Sequence, residues 1–242
     1  VNMAGHSKFK NIMHRKGAQD GKRAKIFAKL AREITVASKS GMPDPQQNPR
    51  LRNAIINARH ENMPNERIKK AIQKASSNED NNNYEEIRYE GIGSNGVSLI
   101  IETLTDNRNR TASEIRSILS KNGGNLGETN SVAYNFDHVG KVGFTSEEIN
   151  KEKFFDFSVD LGALDVLEDS DIIYTICQPE IFGSLRDQLE KEYGEPSVAK
   201  LVWKIKNSLV LNEDAARKVI TIIEQLEEND DVQNVYSNIE VQ

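Results

Sequence analysis

Between residues 21 and 75, apolar side chains recur at three- and four-residue spacing in three successive stretches. In the first, Gly21 to Ser40, the residues Phe27, Leu30, Ala31 and Ile34 share one side of a helix, and Gly41 stops it. After the turn Gly41-Met42-Pro43-Asp44-Pro45, a second helix is lined by Leu51, Ala54, Ile55 and Ala58. A third is lined by Ile68, Ala71, Ile72 and Ala75, with Asn65 as its predicted N-cap behind Pro64. The stretch from Ser76 to Asn83 contains no apolar residue and reads as a linker.

Beyond the linker the pattern alternates between strand and helix. Tyr84 to Tyr89 and Val97 to Thr105 flank Gly91-Ile92-Gly93-Ser94-Asn95-Gly96, whose Asn-Gly pair favours a hairpin. A helix carrying Ala112, Ile115, Ile118 and Leu119 follows, with Thr111 and Glu114 as a predicted capping box and Gly123-Gly124 at its end. Strands are expected at 132–136 and 141–144, then a helix at 151–160, strands at 163–167 and 172–177, and a helix at 179–193. A strand at 199–206, a helix through Ala215, Val219, Ile222, Ile223 and Leu226, and a strand at 232–239 complete the chain. Hairpins outnumber regular βαβ units, so the fold class is α+β: a three-helix N-terminal domain, then antiparallel sheets covered by helices.

Charge changes the picture in two steps. The chain has 242 residues, enough for two or three domains, and its net charge of −5 taken whole argues against a polyanionic partner. Residues 1–80, however, hold 17 Lys+Arg against 7 Asp+Glu, a net of +10, while residues 81–242 hold 15 against 30, a net of −15. Such a division marks a basic part that meets nucleic acid and an acidic part that a phosphate backbone repels. At about 100° per residue, Lys22, Lys25, Lys29 and Arg32 lie nearly opposite the apolar face of the first helix, without the glutamates that normally alternate with lysines. The bland alternative is a merely solvated face. Ahead of that helix, Lys8, Lys10, Arg15 and Lys16 sit among small and polar residues as a basic arm that phosphates would order. Phe9, between two lysines, offers a surface for base stacking. Arg50, Arg52, Arg59, Arg67, Lys69, Lys70 and Lys74 extend the basic surface. Lysines position a protein on nucleic acid and bases specify it; no base-reading cluster stands out.

Other motifs narrow the function by exclusion. The glycines at 91, 93 and 96 spell G-x-G-x-x-G, but a strand follows them where a dinucleotide site needs a helix, so they are turn glycines. Arg108 and Arg110 precede a helix N-terminus, a position that suits either a bound anion or pairing with the abundant carboxylates. Glu168-Asp169-Ser170-Asp171 and Glu227-Glu228-Asn229-Asp230-Asp231 read as solvated turns. There is no G-x-S-x-G, H-E-x-x-H or P-loop, so no enzymatic activity and no cofactor are expected. His6 and His14 lack partners at ligand spacing, so no metal is expected. The lone Cys177, inside the apolar run from Ile172, reads as a buried small hydrophobe. No run approaches the roughly 18 apolar residues of a membrane span. The start has no apolar signal core, and Val1-Asn2 ahead of Met3 reads as a remnant, so a cytoplasmic location without membrane partners is expected.

The segments Met3-Ala4-Gly5-His6-Ser7-Lys8-Phe9, Arg15-Lys16-Gly17-Ala18-Gln19-Asp20, Asn48-Pro49-Arg50-Leu51-Arg52, Tyr89-Glu90-Gly91, Asp106-Asn107-Arg108-Asn109-Arg110-Thr111 and Gly123-Gly124-Asn125-Leu126-Gly127 occur in that order. Together they make the chain resemble the YebC/PmpR family from Met3 to its end. The resemblance implies a helical domain at 1–80, an α/β domain at 81–132 joined to 207–242, and a second inserted at 133–206, both ferredoxin-like. Members of that family are transcriptional regulators that bind DNA. Some act in translation, on ribosomes stalled at proline runs or as a mitochondrial translational activator. The implied partners are therefore DNA, or ribosomal or messenger RNA and the ribosome. The family's basic motifs fall on Lys8, Lys10, Arg15, Lys16, Lys22 and Arg23. Phe9 stands where Trp is usual, and Ile92-Gly93-Ser94-Asn95-Gly96 replaces a more usual Tyr-Gly-Pro-Gly-Gly. The expected function is a non-enzymatic DNA-binding regulator of transcription, with an RNA-binding translation factor as the alternative and a small-molecule-sensing α/β module as a remoter one.

Overall fold

The computed structural model describes residues 19–77 and 83–242, with the backbone alone at 19, 20 and 148. Three helices come first: α1 (Gln19–Lys39), α2 (Pro49–His60) and α3 (Asn65–Ser76). They are followed by β1 (Glu85–Ile92), β2 (Ser98–Thr105), α4 (Arg108–Lys121), β3 (Asn125–Leu126), β4 (Phe136–Thr145), α5 (Lys151–Asp160), β5 (Asp165–Asp169) and β6 (Ile172–Cys177). The chain ends with α6 (Phe182–Tyr193), β7 (Val198–Ile205), β8 (Leu209–Leu211), α7 (Glu213–Glu227), β9 (Val232–Ser237) and β10 (Ile239–Val241). The architecture is α+β, as the patterning predicts. The strands form two four-stranded sheets, β3-β1-β2-β9 and β5-β6-β4-β7, and a parallel pair of β8 with β10. The described residues divide into two compact units, one of 19–29, 83–137 and 203–242 and the other of 30–77 and 138–202.

The first unit is built on the β1–β2 hairpin. Its two strands pair antiparallel from Glu85↔Thr105 to Ile92↔Ser98. Asn95 (φ 63°) and Gly96 (φ 78°) both adopt the left-handed backbone that this hairpin tip requires, which explains the Asn-Gly pair there. The G-x-G-x-x-G string thus closes a hairpin and opens no helix. Gly124 lies under the tip, where a Cβ would come within 2.4 Å of the Ile92 carbonyl oxygen. Leu99 and Ile101 of β2 face α4 and α7, packing with Ile115, Leu119, Val219, Ile222, Ile223 and Leu226. Ile100, between them, points to the opposite face, against Val132, Phe136, Trp203, Ile205 and Tyr236. That β2 is buried on both faces accounts for its unbroken apolar run, Leu99-Ile100-Ile101.

In the second unit β4-α5-β5-β6-α6-β7 forms a β-α-β-β-α-β fold. The spatial strand order β5-β6-β4-β7 is that of a ferredoxin-like sheet. Val142, Phe144, Ile173, Cys177 and Ala199 pack against Phe154, Phe182, Leu185 and Leu189, each fully buried large side chain contributing about 1.5–3 kcal/mol. Cys177 is fully buried as expected, and burial pushes its thiol up to about 11. The helical part of this unit buries Ile34, Ala37, Leu51 and Ala58 completely. Asn48 organises it: its side-chain oxygen accepts from Leu51 N–H at 3.0 Å, and its amide donates to the carbonyls of Ala37 and Met42. With Pro49 at the first helical position, this is the physical content of the Asn48-Pro49 motif. Asn57 of α2 exchanges two hydrogen bonds with the backbone of Ala199, completing the outer edge of β7 as a neighbouring strand would.

Several local expectations shift. The cap of α4 is Asn107, whose side chain accepts from Arg110 N–H at 3.0 Å, so the helix begins at Arg108 and not after Thr111. Thr111 is instead fully buried. Asn65 is the first residue of α3, and the capping position falls on Pro64, which has no side-chain acceptor. The two strands expected at 132–136 and 141–144 are one continuous strand, β4, entered through a 3-10 turn at Ala133–Asn135. The strand expected at 163–167 begins at Asp165, because Gly162 (φ 89°) still turns the chain ahead of it. The last expected strand breaks at Asn238 into β9 and β10. The acidic run at the end of α7 is not all solvated: Asp231 is 4 % exposed.

Candidate nucleic-acid interface

Lys22, Lys25 and Lys29 follow one another on one stripe of α1, as their spacing dictates. The structure places the end of α7 against that stripe. Lys25 Nζ donates to the carbonyl of Glu228 and lies 2.8 Å from its carboxylate. Asp230 Oδ1 is 3.8 Å from the same nitrogen, and Lys29 Nζ donates to the Glu227 carbonyl at 2.6 Å. These carbonyls end α7 and carry the negative end of its dipole, which cations complement. Loss of hydration pushes the Lys29 ammonium down to about 8, against the pull of Glu227, Asp230 and Glu228. The Lys25 hydrogen bond holds the Glu228 carboxyl below its ordinary range. Arg23 lies over the ring of Phe27, 5.4 Å from its centroid, and forms no ion pair among the described residues.

The arginines of α2 serve the second unit internally. Arg50 makes a two-pronged pair with Glu33, at 2.9 and 3.3 Å. Arg52 lies 3.5 Å from Asp187, which Arg186 also contacts. Arg186 is 1 % exposed and donates to Asn53 Oδ1 at 2.6 Å. Arg32 lies on α1 in the part of that helix that belongs to the second unit. Outside the residues singled out for contact, α3 exposes Arg67, Lys69, Lys70 and Lys74. Of these, Lys70 makes no ion pair among the described residues, and Lys69 only a loose one with Glu66 at 3.9 Å. Lys8, Lys10, Arg15 and Lys16 of the arm, with Phe9, His6 and His14, lie outside the described residues.

The alternatives left open for Arg108 and Arg110 separate. Arg110 pairs with Asp231 Oδ2 at 2.6 Å and with Asp106 at 2.9 Å, and these two carboxylates hold its proton more tightly than usual. The hydroxyls of Thr105 and Thr111 lie 3.2 and 2.8 Å from the same Asp231 oxygen. Arg110 therefore belongs to a closed network joining β2, α4 and the start of β9. Arg108 is exposed, and its side chain forms no ion pair or hydrogen bond among the described residues.

A second carboxylate centre was not legible in the sequence. Glu90, 1 % exposed, accepts the backbone N–H groups of Asn130, Val132 and Ala133, each at 2.9 Å, with Arg88 at 3.2 Å. It pins the loop that leads into β4. The signal that could have found it is an acidic residue between Tyr89 and Gly91 at the inner end of β1, at the Tyr89-Glu90-Gly91 motif. Among the described residues no three His, Cys, Asp or Glu side chains are grouped to hold a metal ion. No described helix is long and apolar enough to cross a membrane.

Fold and surface together define an α+β protein in which basic N-terminal helices are followed by two acidic α/β parts. Residues 7–78 match the model of the TACO1/YebC protein N-terminal domain, and residues 84–239 match that of the TACO1/YebC second and third domain. The chain belongs to the TACO1/YebC family, as the motif resemblance implied. It is also similar to the crystal structure of a conserved hypothetical protein, Aq1575, from Aquifex aeolicus. The two share 39% identity over 94% of each chain, with a TM-score of 0.79.

Proposed function

We propose that the protein is a non-enzymatic regulator of gene expression that binds the phosphate backbone of nucleic acid through its basic N-terminal part, with DNA as the leading target. The observation that carries this reading is the charge division, +10 over residues 1–80 against −15 over residues 81–242. The residues assigned to contact are Lys8, Lys10, Arg15 and Lys16 in the arm, Lys22, Arg23, Lys25, Lys29 and Arg32 along α1, and Lys69 and Lys70 on α3. Family membership supports the regulatory reading, since the related domains are those of TACO1/YebC proteins. The empty search for catalytic motifs supports a non-enzymatic role.

Anisotropy titrations of labelled duplex DNA and of structured RNA against salt test the proposal. Each neutralised phosphate contributes a slope of about −0.9 in log K against log salt for duplex DNA, so about five contacts lower affinity several-hundred-fold between about 50 and 200 mM. Charge reversal at Lys22, Arg23, Lys69 and Lys70 should abolish binding. Unchanged affinity for both nucleic acids in that variant would sink the idea. Co-sedimentation with ribosomes, with and without residues 1–18, separates the targets: dependence on the arm at low salt favours RNA, and absence from ribosomal fractions favours DNA.

A further inference from the structure

The stripe that the nucleic-acid reading turns toward phosphate is already in contact with oxygen. Lys25 reaches the carbonyl and carboxylate of Glu228 and lies near Asp230, and Lys29 reaches the carbonyl of Glu227. Lys22 adds its positive charge to the same place, beside Glu227 and Glu228. The run Glu227-Glu228-Asn229-Asp230-Asp231 thus offers this stripe acceptor oxygens and negative charge, the two features a phosphodiester backbone offers.

We propose that the acidic turn closing α7 is an intramolecular substitute for phosphate, occupying the Lys22–Lys25–Lys29 stripe in the free protein and giving it up to nucleic acid on binding. The contact is therefore autoinhibitory, and the inference rests on the nucleic-acid reading above.

The geometry suits exchange. The side chains of Glu228 and Asp230 are 67% and 77% exposed, and ion pairs so placed contribute little and are screened by salt. Releasing them leaves α7 seated, because Leu226 is fully buried, and leaves β9 anchored, because Asp231 is engaged with Arg110. Phosphate contacts made in their place also release counterions, which the internal pairs do not. A merely structural contact, with lysines serving only as a cap for α7, predicts no gain in affinity when the carboxylates are removed.

The test uses the full chain, labelled duplex DNA and RNA of equal length, and anisotropy at low and high salt. Glu228→Gln with Asp230→Asn should tighten binding about fivefold at about 50 mM salt, and about twofold at about 200 mM, where the internal pairs are already screened. Glu228→Gln alone, at an exposed position that leaves folding unaffected, should give part of the gain. Glu168→Gln with Asp169→Asn, the same charge change in the other acidic turn, should give none. Unchanged or weaker binding by the first pair, or an equal gain in the control, overturns the inference while leaving the nucleic-acid reading intact. Failure of the wild-type chain and every variant to bind either nucleic acid overturns both.

Discussion

Residues 227–231 carry four carboxylates within one turn, yet the two ends of that run do opposite things. Asp231 is nearly buried and shares one oxygen among Arg110, Thr105 and Thr111. Glu228 and Asp230, three residues and one residue earlier, are largely exposed and face Lys25. A charge removed from water needs all its partners at once and so becomes architecture. One left in water keeps an alternative at every contact and so can be exchanged. The second unit repeats the first case with the opposite sign: Arg186, 1 % exposed, is held by Asn53 and Asp187.

The largest effect should come from breaking the buried end. Asp231→Ala removes the oxygen that Arg110, Thr105 and Thr111 share, leaves Arg110 to Asp106 and water, and should cost about 3–4 kcal/mol in urea unfolding. A cost under about 1 kcal/mol would remove the distinction between the two ends. Glu90→Ala leaves three backbone N–H groups without their acceptor and should cost about 2–4 kcal/mol, with faster hydrogen exchange at Asn130, Val132 and Ala133. Unchanged exchange there would mean that water replaces the carboxylate.

Lys29 lies between the extremes, and pH separates it from both. Its folded pKa of about 8 is below its unfolded value of 10.5, so between these pH values the unfolded chain holds a proton that the folded chain has released. Its contribution to stability therefore rises as pH climbs from about 8 to 10.5, and Lys29→Met should flatten that rise. A Lys29→Met curve parallel to the wild-type curve would contradict the assignment. The smallest effect belongs to the exposed end. The Lys25–Glu228 pair stabilises above the ordinary carboxylate range and is lost as pH falls through the lowered Glu228 value. Carboxyl NMR should show that value return toward 4.5 in Lys25→Ala, with almost no change in melting temperature.

The same distinction explains what could be read from the chain. The seven helices found among the described residues all answer to an apolar period or a cap motif within a dozen residues of sequence. The misplacements, at Thr111, Pro64, Asp165 and Asn238, are errors of a few residues at ends, where a single hydrogen bond decides. The site was legible as composition but not as partnership. Lys25 and Glu228 are 203 residues apart and Arg110 and Asp231 are 121 apart, so no local pattern pairs them. Arg50 and Arg52 looked like Arg23 in the sequence, and the carboxylates of Glu33 and Asp187 make the difference.

By itself, then, the sequence determined the α+β class, the hairpin tip at Asn95-Gly96, the buried thiol and the division of charge. Each of these depends on the identity of a residue and its near neighbours, through periodicity, backbone conformation or simple addition. Only the tertiary structure decided which charges are fixed and which are exchangeable. That depends on how much water each group keeps and which opposite charge is brought beside it, and both are set by packing between residues far apart in the chain.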